Sequence, residues 1–151
     1  MSIKSNSFGG SGGSSFDDKQ LDPSRIRGID KIEIRAGNVI DAIKVTYRLD
    51  DGTTKEGPQH GGTGGSQHEI NLESNEVIIG ISGNVSGVLQ VVDQLTFYTA
   101  RGGQGYRVLG PYGGGKYDNP FQLVGSYYHI VAFFGRSGSH VNQIGVYYNK
   151  V

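Results

Sequence analysis

The sequence has no cysteine, which excludes a disulfide framework and any thiolate metal site. Neither sign of charge is in surplus: Lys and Arg total 14, and Asp and Glu total 14. Nothing in that balance would hold a phosphate backbone, so nucleic acid is not expected as a partner. No stretch approaches the ~18 apolar residues of a membrane span, so membrane insertion is not expected. The opening segment MSIKSNSFGGSGGSS is polar and has no apolar core of a signal peptide, and the expectation is a cytoplasmic protein. Helical periodicity is missing as well. No window of about 11 residues places its apolar side chains at i, i+3 and i+4.

Glycine is abundant, at 26 of 151 residues. Average usage is roughly 7%, and here the excess is clustered in short loops. The loops read GGSGGSSFD from Gly9, GGTGGSQHE from Gly61 and GPYGGGKYDNPF from Gly110. A second element also recurs, as AGNVIDAIKVTY from Ala36, ISGNVSGVLQVV from Ile81 and RSGSHVNQIGVYY from Arg136. Taken at Gly37, Gly83 and Gly138, the repeat is roughly 50 residues long, within the range of repeat architectures. Three copies predict threefold internal symmetry, with function where the two elements of a copy meet. The length suits one domain over residues 1–151, of which residues 1–7 are expected to form a flexible amino-terminal segment.

Apolar residues alternate. Ile29, Ile32 and Ile34 lead to Gly37, and Ile43, Val45, Tyr47 and Leu49 continue with period two up to Asp51-Gly52. Asp-Gly between two such runs predicts a type I′ hairpin turn. Later runs, NEVIIGISG, GVLQVVDQLTFYT and YYHIVAFFG, are rich in the β-branched and aromatic residues that fill a pleated surface. The predicted object is all-β: three four-stranded antiparallel Greek-key sheets packed as a three-sided prism, with a β-sandwich as the alternative.

Four constellations could carry chemistry. GPYGGGKY, residues 110–117, nearly matches a phosphate-binding loop, but Tyr117 stands where the magnesium-binding hydroxyl belongs. Asp118-Asn119-Pro120 cannot then begin the helix that would hold the phosphates. His60, His68, His129 and His140 lack the i, i+4 spacing of a zinc site and read as surface or turn histidines. The carboxylate pairs Asp17-Asp18 and Asp50-Asp51 are adjacent and point apart, so turn chemistry accounts for them better than a glycosidase dyad does. Asn84-Val85-Ser86 is a glycosylation sequon, expected to go unused without a secretory signal.

The fourth constellation is the repeat, and its chemistry suits a sugar. A sugar presents vicinal hydroxyls, and a fixed carboxylate can accept from two of them in charge-assisted bonds roughly twice as strong as neutral ones. Asp41 offers such a group, and a glycine pair lets main-chain N–H groups come close because no Cβ intervenes. Singly, these residues could serve only as turns and caps. Their repeated pairing favours binding.

The ordered set GGSGGSSFDD, IRGIDKIEIRAGNVIDAIKVTY, DGTTKEGPQHGGTGG, LTFYT, GPYG and FFGRSGSHVNQIGVYY resembles the jacalin-related lectins over nearly the whole chain. The resemblance implies a β-prism I fold and reversible, non-catalytic sugar binding through a GG loop and a G-x-x-x-D loop, with no cofactor, metal or catalytic residue. It also implies the mannose/glucose-specific branch. The galactose-specific branch is cleaved to free an amino terminus at its binding glycine, a position that Gly13 occupies inside an uncut chain. Partners implied are mannose/glucose-containing glycans or glycoproteins, and a homo-oligomer is left open. The competing readings are a prism-shaped protein-interaction module that has lost sugar binding and, more remotely, an enzyme acting on glycans.

Carried over residue by residue, one site combines Gly13 with Gly138, Ser139, His140, Val141 and Asn142, where Asn142 replaces the family's aspartate. The stronger site combines Gly65 with Gly37, Asn38, Val39, Ile40 and Asp41. A third copy pairs Gly113, Gly114 and Gly115 with Gly83, Asn84, Val85, Ser86 and Gly87, and it is expected to be empty because Gly87 has no side chain.

Overall fold

In an extended chain, side chains two residues apart share a face, so Ile32 goes inward with Ile34, and Ile43 with Val45 and Tyr47. The computed structural model describes residues 2–123, Gly125 and residues 127–150. Its chain opens with the short strands β1 (Ile3–Lys4), β2 (Phe8–Gly9) and β3 (Ser14–Asp17) and a 3-10 turn at Asp18–Leu21. There follow β4 (Ile26–Ala36), β5 (Ile40–Leu49), β6 (Thr54–Glu56), β7 (His60–Gly61) and β8 (Ser66–Asn71). The next group is β9 (Val77–Val85), β10 (Val92–Ala100), β11 (Tyr106–Gly113) and β12 (Pro120–Leu123), and the chain closes with β13 (Tyr128–Ser137) and β14 (Val141–Lys150).

Pairing sorts these strands into three units of one topology. The first runs β8-β4-β5 with β6 and β7 on the free edge of β5, and the second runs β12-β9-β10-β11. The third runs β3-β13-β14 with β1 and β2 on the free edge of β14. In each, the last strand returns beside the first, which is the Greek-key order. Ile32 and Val45 of the first unit, Leu95 and Phe97 of the second, and Phe133 and Val146 of the third are fully buried in one shared core. Each such side chain contributes about 1.5–3 kcal/mol by leaving water. The expected prism of three Greek keys is therefore present. One pair, Ile130 with Ile78, joins the second and third units, so the backbone ladders form a nine-stranded and a five-stranded sheet.

Three local expectations need correction. The segment ahead of Phe8, expected to be flexible, contains β1, which pairs Ile3 with Tyr148 and Lys4 with Tyr147. The Asp51-Gly52 turn is not type I′, since only Gly52 has positive φ (84°). Gly52 N–H donates to Leu49 O while Leu49 N–H donates to Thr53 O, the three-residue hairpin loop with a glycine bulge. Third, Asp18 and His60 are not surface turn residues. Asp17 does accept from Lys19 N–H at the 3-10 turn, but Asp18 is 1% exposed. It accepts from the Tyr47 hydroxyl at 2.7 Å and bonds His60 Nε2 at 2.7 Å. The His60 ring stacks on Phe16 at 3.8 Å. Tyr47 Oη in turn accepts from Phe133 N–H, so a buried polar chain ties the first unit to the third. Burial pushes the Tyr47 hydroxyl well above its ordinary range, which keeps it protonated as a donor.

Candidate functional site

Strands β4 and β5 turn through Gly37-Asn38-Val39, where Gly37 N–H donates to Val39 O at 3.1 Å. The tight turn delivers Asp41 to the glycine loop that connects β7 to β8. There its carboxylate lies flat against the main chain: a Cβ added at Gly64 would stand 2.9 Å from Asp41 Oδ1, and one at Gly65 would stand 2.5 Å from Oδ2. Gly65 also has φ 69°, a left-handed conformation that costs most residues about 1–2 kcal/mol. Asp41 is 7% exposed. Among the described residues its carboxylate accepts no hydrogen bond, and the His140 ring stands beside it, with Nε2 3.7 Å from Oδ1. The main-chain N–H groups of Asn38, Val39 and Gly65 likewise donate to no backbone acceptor among the described residues. An acceptor pair beside unspent donors is the equipment for reading vicinal hydroxyls.

The β13–β14 turn and the β2–β3 glycine loop repeat this arrangement. Gly138 N–H donates to His140 O at 3.0 Å, Gly13 has φ 71°, and Asn142 sits where Asp41 does. Cβ atoms at Gly12 and Gly13 would stand 2.9 Å from Asn142 Nδ2 and Oδ1 respectively. Asn142 Oδ1 is buried with no hydrogen-bond partner among the described residues. The structure thus brings together both residue sets that the sequence predicted.

A guanidinium braces each of these two loops, a role the sequence reading missed. Arg35 donates from Nε to Gly64 O and from Nη2 to Gly65 O, both at 3.0 Å. Arg136 does the same to Gly12 O at 3.1 Å and Gly13 O at 2.7 Å. The signal was there, since an arginine stands two residues before the glycine in both Arg35-Ala36-Gly37 and Arg136-Ser137-Gly138.

The third copy has a register different from the one its sequence spacing predicts. Its turn is closed by Ser86 N–H donating to Val91 O at 2.9 Å, so Ser86 matches Gly37, and Val92-Asp93 match Ile40-Asp41. The glycine loop agrees, because a Cβ on Gly61, Gly9 or Gly113 would collide with the carbonyl oxygen of Asp41, Asn142 or Asp93 respectively. Gly87, which was expected to hold the acceptor position, belongs to a turn three residues longer than the others. Asn84 takes the place of the bracing arginines. It is fully buried, donates to Asp93 and Asp118, and accepts from Asn119 N–H. The sequon asparagine is thus sequestered, and the near phosphate loop at residues 110–117 is the end of β11 and a connection to β12.

The three pairs of loops meet in a ring. A Cβ on Gly62 would strike Ser139 O of the third unit, one on Gly10 would strike Gln90 O of the second, and Gly114 approaches Asn38 O of the first. All six loops therefore lie at one end of the prism. Among the described residues, no cluster of three or more His, Asp or Glu side chains is arranged to hold a metal ion.

A family model described as the Jacalin-like lectin domain matches residues 5–147. Horcolin from Hordeum vulgare subsp. vulgare is 34% identical over 149 residues, covering 96% of this chain and 95% of its own. The solved structure of wild-type Malaysian banana lectin is similar with a TM-score of 0.84 at 36% identity and 100% coverage of both chains. AcmJRL, a mannose-binding jacalin-related lectin from Ananas comosus, gives 0.84 at 32% identity and 99% of both chains.

Proposed function

The chain belongs to the Jacalin-like lectin domain family, and on that premise we propose that this carbohydrate-binding lectin takes mannose- and glucose-type glycans, reversibly and without catalysis. The stronger site is built by Gly37, Asn38, Val39, Ile40, Asp41 and Gly65; the weaker one by Gly13, Gly138, Ser139, His140, Val141 and Asn142. One observation carries the reading: the Asp41 carboxylate is nine-tenths covered, accepts nothing from the described residues, and faces glycine main chain with N–H donors unspent among those residues. Two sugar hydroxyls can donate to that carboxylate in charge-assisted bonds roughly twice as strong as neutral ones. AcmJRL, which shares the fold at 32% identity, binds mannose, and this supports the choice of sugar.

A shallow loop site makes few bonds, so methyl α-mannoside is expected to bind with a dissociation constant on the order of millimolar, about −4 kcal/mol. A glycan array followed by titration calorimetry tests this. Binding to mannose-terminated glycans, poor competition by galactose and loss of most heat in Asp41→Ala are the expected results. Equal inhibition by galactose and mannose would overturn the branch, and full binding by Asp41→Ala would overturn the site.

A further inference from the structure

Following β4 from Ala36 back to Ile26, and β14 from Val141 on to Lys150, leads from the ring of loops to the opposite end of the prism. There the 3-10 turn, the start of β4 and the end of β14 enclose a hollow of about 440 Å³. It is lined by Ser2, Lys19, Pro23, Ser24, Arg27 and Asn149, and no acidic residue among those described lines it. In a chain with no net charge, two cations share one hollow.

Main-chain oxygens hold both heads in place. Lys19 Nζ donates to Pro23 O at 2.7 Å, and Arg27 Nη1 donates to Ser24 O at 2.8 Å. Carbonyls carry no formal charge, and two ammonium N–H groups, with Arg27 Nε and Nη2, remain to donate. Arg27 Nη2 lies 4.0 Å from Asp50 Oδ2, too far for a hydrogen bond. The neighbouring carboxylates are engaged elsewhere. Asp17 accepts from Lys19 N–H and the Tyr147 hydroxyl, while Asp22 and Asp50 face Arg25 at 3.7 and 3.1 Å. Burial, and after it the charge of Arg27, lower the Lys19 pKa by more than Asp17 and Asp22 raise it, so an anion beside it would offset an existing repulsion. Asn149 completes the lining. Its Oδ1 is buried with no partner among the described residues, which leaves the NH2 as the amide's accessible donor.

We propose that this hollow binds the phosphate group of a phosphomonoester, with Lys19 and Arg27 matching its charge, Asn149 and the Ser24 hydroxyl donating to its oxygens, and Pro23 against its organic part. A phosphomonoester carries about −1.5 to −2 charges at neutral pH and three strong acceptor oxygens, and a guanidinium fork fits two of them at once. The site lies at the far end from the ring of loops and stands whether or not the loops hold mannose.

The test titrates the full chain with phenyl phosphate, phenyl sulfate and inorganic phosphate at constant ionic strength while amide and side-chain resonances are followed. Ser24, Arg27 and Asn149 report on the hollow, Gly64 and Gly65 on the loop end, and the exposed Lys116 on surface cations in general. Saturating shifts are expected at the first set alone, with a dissociation constant for phenyl phosphate on the order of millimolar. Phenyl sulfate, a monoanion, and inorganic phosphate, which has no organic part, should each bind several-fold more weakly. Arg27→Gln changes a side chain that is 54% exposed, so the fold should persist while phenyl phosphate affinity drops roughly tenfold. Lys19→Gln should act in the same direction. No saturation at Ser24, Arg27 and Asn149, or shifts of equal size at Lys116, would overturn the site and leave only adventitious ion pairing. Undiminished affinity in Arg27→Gln would overturn it as well. Phenyl sulfate binding as tightly as phenyl phosphate would overturn the choice of a dianion, and inorganic phosphate doing so would overturn the ester.

Discussion

His140 Nε2 lies 3.7 Å from Asp41 Oδ1 although the two residues belong to different candidate sites. The turn that carries Asn142 thus reaches over the carboxylate of its neighbour. The ring narrows the approach to that carboxylate, and His140→Ala is expected to change mannose affinity at the Asp41 site by up to about fivefold, the size of a partly exposed polar contact. Calorimetry on the variant checks it, and an unchanged affinity at the Asp41 site would show that the contact plays no part in binding.

Asn142 supplies one acceptor oxygen and an NH2 that can only donate, whereas a carboxylate supplies two acceptors. Asn142→Asp is therefore expected to strengthen the second site by about 1–2 kcal/mol, roughly five- to thirtyfold. Its calorimetric stoichiometry should rise relative to the wild type, with the circular dichroism spectrum unaltered.

Gly65→Ala places a methyl group against Asp41 Oδ2 at a φ of 69°. Backbone strain of about 1–2 kcal/mol is expected in the thermal midpoint, with loss of binding at the Asp41 site. Gly52→Ala is the control. It also has positive φ, but an added Cβ meets nothing within 4 Å, so it should cost stability alone.

Arg35→Ala removes two hydrogen bonds to Gly64 and Gly65 carbonyls, and Arg136→Ala removes the matching pair at Gly12 and Gly13. Each is expected to lower affinity at its own site by about three- to tenfold through a looser loop. Single-site backgrounds would read this out, and a loss at the opposite site would defeat the assignment.

Glu76 is expected to make the native state sensitive to acid. It is fully buried and bonded by Arg107 at 2.6 and 2.7 Å and by the Thr99 hydroxyl. Burial alone would raise its pKa, but the hydrogen bonds from Arg107, Thr99 and the main chain outweigh it and hold the group at about 2, against an ordinary 4.5. A carboxyl depressed on folding stabilises the native state above its unfolded pKa. That contribution fades as pH falls from about 4.5 toward 2. Urea unfolding of Glu76→Gln should show about 3 kcal/mol less stability at pH 7 and a shallower decline between pH 5 and pH 2 than the wild type.

The sequence reveals what is contiguous. Asp41 follows Gly37 at the family spacing, and the glycine loop that faces it is one unbroken string, so the meeting of that turn with that loop was legible in full. Asn142 was legible for the same reason, departure included. Asp93 was not, because three extra residues between Ser86 and Val91 shift the acceptor beyond the repeat spacing, and only the backbone hydrogen bond across the turn restores the register. The closure of the third Greek key by β1, β2 and β3 was equally hidden, since Ile3 pairs with Tyr148 and no local pattern encodes a partner at the far end of the chain. His60 looked like an ordinary turn residue because its buried partner, Asp18, lies in a different strand neighbourhood.

The ring of loops at one end of the prism fixes the direction in which this protein can hold things. The sites proposed on it would share one side, so one copy would grip a single glycan-bearing surface, or several arms of one branched glycan, with the gain in effective concentration that shared attachment brings. Bridging two opposed surfaces would then call for a second copy facing the other way, and cross-linking of cells or particles would report on how copies associate.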